Sequence, residues 1–132
     1  METLTHDGRI LAIVYRNEDW KEGLQFMTPD ELFVQVGTWF YPKGKVLDTH
    51  VHKEHSRTAT KTHEMTYMRK GSMKVFLFDD RKNKVNEFVL REGDTAVFAG
   101  GGHGYEILED GTQVLEAKNG PFVSVEKDKE KF

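Results

Sequence analysis

The chain has 132 residues, 37% of them hydrophobic and 31% charged, with a formal net charge of −3 at pH 7. That length fits a single domain, residues 1–132, built around one core. Acids and bases are interspersed with no basic stripe, which argues against a nucleic-acid partner, and the absence of cysteine excludes disulfides and thiolate metal sites.

Asp7-Gly8 marks a turn, and Ile10 to Tyr15 is a β-rich run. Residues 17–23 are polar and read as a loop, with Trp20 as a packing plug or subunit contact. A short strand is expected over Leu24 to Met27. Thr28-Pro29-Asp30-Glu31 has the marks of a helix start: a capping hydroxyl, a proline at the first helical position and a glutamate three residues after the cap. One short helical turn is therefore expected before Val36 to Tyr41 returns to strand. Pro42-Lys43-Gly44 closes that strand with a turn.

Lys45 to His52 alternates as a strand does. Val46, Asp48, His50 and His52 then share one face, and Leu47, Thr49 and Val51 the other. The imidazoles of His50 and His52 can therefore reach one point. Lys53 to Thr62 is polar and lacks a core pattern. It reads as a loop over the mouth of a site, with His55, Arg57 and Lys61 as candidates to meet an anionic substrate group. Alternation resumes from His63 to Lys70. Glu64, Thr66 and Met68 lie on one face, so a Glu64 that points inward leaves His63 pointing away.

Ser72 to Phe78 is a strongly apolar strand, joined through a hairpin loop at residues 79–84 to a return strand, Val85 to Leu90. After a turn at residues 91–94, Thr95 to Ala99 forms a short strand. Gly100-Gly101-Gly102 permits positive φ and close backbone approach, an elbow that aims His103 inward. Beyond it His103, Tyr105 and Ile107 share a face. Asp110-Gly111 marks a further hairpin turn, followed by a strand from Gln113 to Lys118. Asn119-Gly120-Pro121 ends it, Phe122 to Val125 reads as an edge segment, and Glu126 to Phe132 alternates in charge like a solvated tail. About ten short strands, with turns every 8–12 residues or so, predict an all-β sandwich or barrel.

His50, His52, Glu64 and His103 supply three imidazoles and one carboxylate. That donor set suits a borderline divalent ion such as Zn, Fe, Mn, Ni or Co. Burying such groups alone is costly, and an ion would compensate them while tying separate strands together. On an octahedral ion four protein donors leave about two positions for water or substrate. On a tetrahedral ion they close the shell. Tyr105, on the face expected for His103, is the candidate to donate or relay a proton, with filling of the interior as its structural alternative.

The spacing of Gly44, His50, His52, Glu64 and Gly71 resembles the first motif of the cupin superfamily: Gly, five residues, His-x-His, a gap, Glu, six residues, Gly. The gap from His52 to Glu64 is longer than usual. The second motif is looser: Gly93, a glycine-rich turn, then His103, with Ala99 in place of the usual proline and no late asparagine. The resemblance spans residues 35–118. In detail the chain is similar to small single-domain bacterial cupins associated with surface-polysaccharide and sugar metabolism, which share the long gap and the turn from Gly101 to Glu106.

The resemblance implies a double-stranded β-helix, or jelly-roll barrel, with His50, His52, Glu64 and His103 as metal ligands. It also implies a homodimer, which the exposed edges of small sheets favour too. The function expected is that of a metal-binding cupin, an enzyme that polarises a small oxygenated, sugar-derived substrate. Isomerase or epimerase, lyase and oxygenase chemistry all stay open. The alternative is a non-catalytic module that binds a sugar or another small molecule. No apolar signal core opens the chain and no segment is long enough to cross a membrane, so no membrane partner and a cytoplasmic location are expected.

Overall fold

Ten strands account for most of the regular structure in a computed structural model that describes all of residues 1–132. They are β1 (Glu2–His6), β2 (Arg9–Tyr15), β3 (Gly23–Phe26), β4 (Gly37–Phe40), β5 (Glu64–Lys70), β6 (Ser72–Phe78), β7 (Lys84–Arg91), β8 (Thr95–Phe98), β9 (Gly102–Ile107) and β10 (Gln113–Lys118). One sheet runs β1-β2-β8-β5-β10, a second runs β7-β6-β9, and β3 and β4 form a separate ribbon. All pairings are antiparallel, and no sheet closes on itself. The all-β expectation holds at this level. No helix is long and apolar enough to cross a membrane.

Alternation decides what each face buries. Ala12 and Val14 of β2, Met68 of β5 and Ala96 and Phe98 of β8 pack against Met73, Val75 and Leu77 of β6 and Leu90 of β7. This is the core between the two large sheets. Each large aliphatic side chain buried there contributes about 1.5–3 kcal/mol. The opposite face of the five-stranded sheet is buried as well. Ile13, Tyr15 and Val97 pack against Met27, with Leu32 and Val36 partly buried beside them. Double burial explains why β8 is apolar on both faces around Thr95.

Three sequence expectations give way, and one unassigned stretch gains structure. Residues 2–6, unassigned from sequence, form β1 by pairing with β2 across the Asp7-Gly8 turn. The short helical turn after Thr28 is absent. Leu32 N–H donates to the Pro29 carbonyl at 3.1 Å as a single turn, and the Thr28 hydroxyl accepts from Val36 N–H at 3.0 Å instead of capping a helix. The Gln35 amide nitrogen donates to the carbonyls of Pro29 and Leu32 and fixes the bend. Covering the sheet with Leu32 and Val36 outweighs a one-turn helix, whose nucleation is costly.

Lys45 to His52 is not a strand. From Val46 to Thr62 no backbone group bonds another backbone group, and Val46 and Val51 are 81% and 88% exposed. Alternation there finds no partner strand, because the nearest one, β4, pairs only with β3. The end of the chain is docked rather than free. Ser124 caps a short helix, α1 (Val125–Asp128), where an edge segment was expected. The Asp128 carboxylate accepts from the Thr62 hydroxyl at 2.5 Å and from Lys118 Nζ at 3.3 Å. Lys82 Nζ lies 2.7 Å from Glu130, and the Phe132 ring meets Phe78 edge-on at 5.2 Å.

Candidate functional site

Glu64 opens β5 on the face that looks toward the three-stranded sheet, as its pairing opposite Phe98 of β8 requires. On that sheet β9 places His103 opposite Leu77 and Tyr105 opposite Val75, both core residues, so His103 and Tyr105 also look inward. The two faces meet at Glu64. His103 Nε2 lies 2.8 Å from Glu64 Oε1, and the Tyr105 hydroxyl donates to the same oxygen at 2.9 Å. Glu64 is only 4% exposed. Phe98 forms the floor: His103 stacks on it at 4.6 Å between ring centres, and Tyr105 meets it edge-on at 5.7 Å. The glycine elbow makes this approach possible. A Cβ on Gly101 would lie 2.1 Å from the Phe78 carbonyl oxygen, and its φ of 61° is one that glycine adopts freely.

The charge states follow from these neighbours. Burial pushes the Glu64 carboxyl up, but the His103 hydrogen bond and charge and the Tyr105 hydrogen bond outweigh it. The group is held below the usual glutamate range. Burial, then the Glu64 carboxylate, pushes the Tyr105 phenol far above its usual value. At neutral pH Glu64 is therefore an ionised acceptor and Tyr105 a protonated donor. The contact with Glu64 places a proton on His103 Nε2. One pleat further in, the buried Thr66 hydroxyl has no hydrogen-bond partner, although it shares the face of Glu64. An unmet buried hydroxyl costs about 1–3 kcal/mol.

The structure thus brings together Glu64, His103 and Tyr105 among the residues singled out from sequence. It does not bring His50 and His52 to them. Both histidines lie on the exposed segment after Gly44, with ring centres 5.2 Å apart, and His50 Nδ1 contacts only the local Asp48 carbonyl at 3.0 Å. No group of three or more His, Asp or Glu side chains is placed to hold one ion. His55 and Arg57 are exposed on the same segment, while Lys61 lines a groove between that segment and the end of the chain.

His63 points away from Glu64, as alternation requires. Its Nδ1 accepts from Phe33 N–H at 3.2 Å and its ring stacks on Phe33 at 4.8 Å. Burial, and then the charge of Lys61, pull its pKa below the usual histidine range.

Sequence reasoning missed two participants. Phe98 lay in an expected strand, and its inward register with Ala96 was the available signal. Lys118, at the end of β10, stands opposite Glu64 in the ladder, and no local pattern marked that pairing. No protein-family model, no curated protein and no solved structure matches the chain.

Proposed function

We propose that this chain is a cupin-type jelly-roll protein whose working site is Glu64, His103 and Tyr105, a site that binds a divalent ion and acts on a small oxygenated substrate. The observation that carries the reading is the convergence of His103 Nε2 and the Tyr105 hydroxyl on one buried Glu64 oxygen. The 2.8 Å spacing of Glu64 Oε1 and His103 Nε2 is close to the ~3 Å that separates neighbouring ligands held at ~2.1 Å and right angles around one ion, which would take the place of the proton between them. Glu64 and His103 would hold the ion. His50 and His52 would complete the set if the segment 46–62, which no backbone ladder restrains, closed over them.

Such an ion would act as a Lewis acid toward a substrate oxygen. The chain's own residues supply the rest. Glu64 stays ionised and holds both neighbours in place. Tyr105 keeps its proton and would turn it from Glu64 to an oxygen of a bound substrate. Phe98 fixes the ring planes and keeps water from beneath them.

Metal analysis of untagged protein tests the reading. One equivalent of a divalent metal is expected in the natural protein, with loss in His103→Ala and His50→Ala and retention in His6→Ala. Equal metal in all of them, or none in the natural protein, removes the ion from the assignment.

A second reading is favoured by the same contacts. Glu64 already satisfies His103 and Tyr105 without an ion, so the three residues can also work as an acid–base set or as a binding pocket without turnover. Metal-free protein with Glu64→Gln-sensitive ligand binding is its signature.

The homodimer enters here as a proposal. Leu24, Phe26 and Trp39 share one face of the β3–β4 ribbon and are 44%, 60% and 57% exposed. A two-stranded ribbon is marginal alone in water, and both its edges are free to add to the same ribbon of a second copy. Sedimentation at micromolar concentration should give a dimer, and Trp39→Lys should give a monomer. A monomeric natural protein contradicts it.

A further inference from the structure

Where β10 ends the molecule has a groove of about 610 Å³, a size typical of small-ligand sites. Its walls are the segment 59–62 and the chain from Lys118 to Asp128. Three cations line it: Lys61, Lys118 and Lys127. Its one carboxylate, Asp128, is already engaged by the Thr62 hydroxyl and by Lys118. The remaining charge of the groove is therefore positive. The wall from Lys118 to Asp128 also carries an apolar patch. Phe122 and Val123 are largely exposed there, and Lys118 Nζ sits 5.7 Å from the centre of the Phe122 ring. Lys118 joins the groove to the buried site, since it stands opposite Glu64 across the β5–β10 ladder.

We infer that this groove binds a small organic anion, with a carboxylate or phosphate head among Lys61, Lys118 and Lys127 and an apolar body along Phe122 and Val123. A neutral molecule of the same shape forgoes the charge-assisted bonds, which are roughly twice as strong as neutral ones. A bare inorganic anion forgoes the apolar contact. Lys118, which lines the groove, is the ladder partner of Glu64. The inference deepens the reading of the Glu64–His103 pair as the working site, and the groove's occupancy is measurable without it.

The test is an amide-resolved NMR titration of the full chain, without added metal, against benzoate, phenyl phosphate, benzyl alcohol and inorganic phosphate. Benzoate or phenyl phosphate should shift the amides of residues 60–62 and 118–128, and the tighter of the two identifies the head group. Benzyl alcohol and inorganic phosphate should each bind at least about tenfold more weakly, a difference of about 1.4 kcal/mol. The double variant Lys61→Met with Lys127→Met should weaken the organic anion by about tenfold or more and leave amides outside the groove unmoved. Equal binding by the variant overturns the inference, as does equal binding of benzyl alcohol or inorganic phosphate, or shifts that map elsewhere. Anion binding in a protein that holds no metal keeps the groove and removes the ion. Metal in a protein that ignores these anions removes the groove alone.

Discussion

The strand that carries Glu64 and the segment that carries His50 and His52 are neighbours in the chain and opposites in construction. β5 is laddered on both sides, to β8 and to β10, and its inward side chains are set by two neighbouring strands. The segment 46–62 has no backbone bond to another backbone group, and His50 meets only Asp48 and His52 of the same segment. A site built on the first kind of element is held by the scaffold. A group on the second kind acquires a fixed place only when something else, such as an ion or a ligand, supplies it.

The largest expected effect on this contrast comes from its rigid half. Phe98→Ala removes the ring beneath both His103 and Tyr105 and leaves a cavity in the core between the sheets. Urea unfolding should show a loss of about 3–5 kcal/mol. A loss below about 1 kcal/mol means the floor is not a packed one.

A smaller effect separates a pinned loop from an unpinned one. The hairpin loop between β6 and β7 is held by Asp79, whose carboxylate accepts from Asn83 Nδ2, Asn83 N–H and Arg81 N–H. The side-chain bond to Asn83, then the backbone bonds, hold its pKa below the usual aspartate range. The stabilisation is therefore full above the unfolded pKa of about 4 and is lost as pH falls through the lower folded value. Asp79→Ala should be less stable than the natural protein at pH 6, and the gap should close on acidification. A gap that does not vary with pH rules out the carboxylate as its source.

The smallest effect belongs to the exposed histidines. In metal-free protein the double variant His50→Ala with His52→Ala should change stability by no more than about 0.5 kcal/mol, because neither ring is buried or bonded to the sheets. A larger loss by thermal melting means the segment is structurally committed, and the contrast with β5 collapses.

The sequence read well wherever local pattern and a partner strand coincide. Glu64, Thr66 and Met68 alternate in β5, and the structure buries all three. The glycine elbow before His103 and the shared face of His103 and Tyr105 were legible in the same way. Lys45 to His52 alternates as clearly but presents polar groups on both faces, and no strand lies beside it to complete a ladder. Alternation is a condition for a strand and not a sufficient one. The charged tail is largely exposed, as its composition suggests, but it is not without contacts. Asp128, Glu130 and Phe132 each find a partner far away in the chain, which no local pattern marked.

Sequence alone determined the all-β class, the turns and which side chains of each strand share a face, because these depend on steric preferences and a two-residue period. The tertiary structure decided which strands became neighbours, and so which distant groups meet at Glu64. That choice follows from burying the apolar faces of β2, β5, β6 and β8 against one another. It is a property of the whole chain that no single stretch encodes.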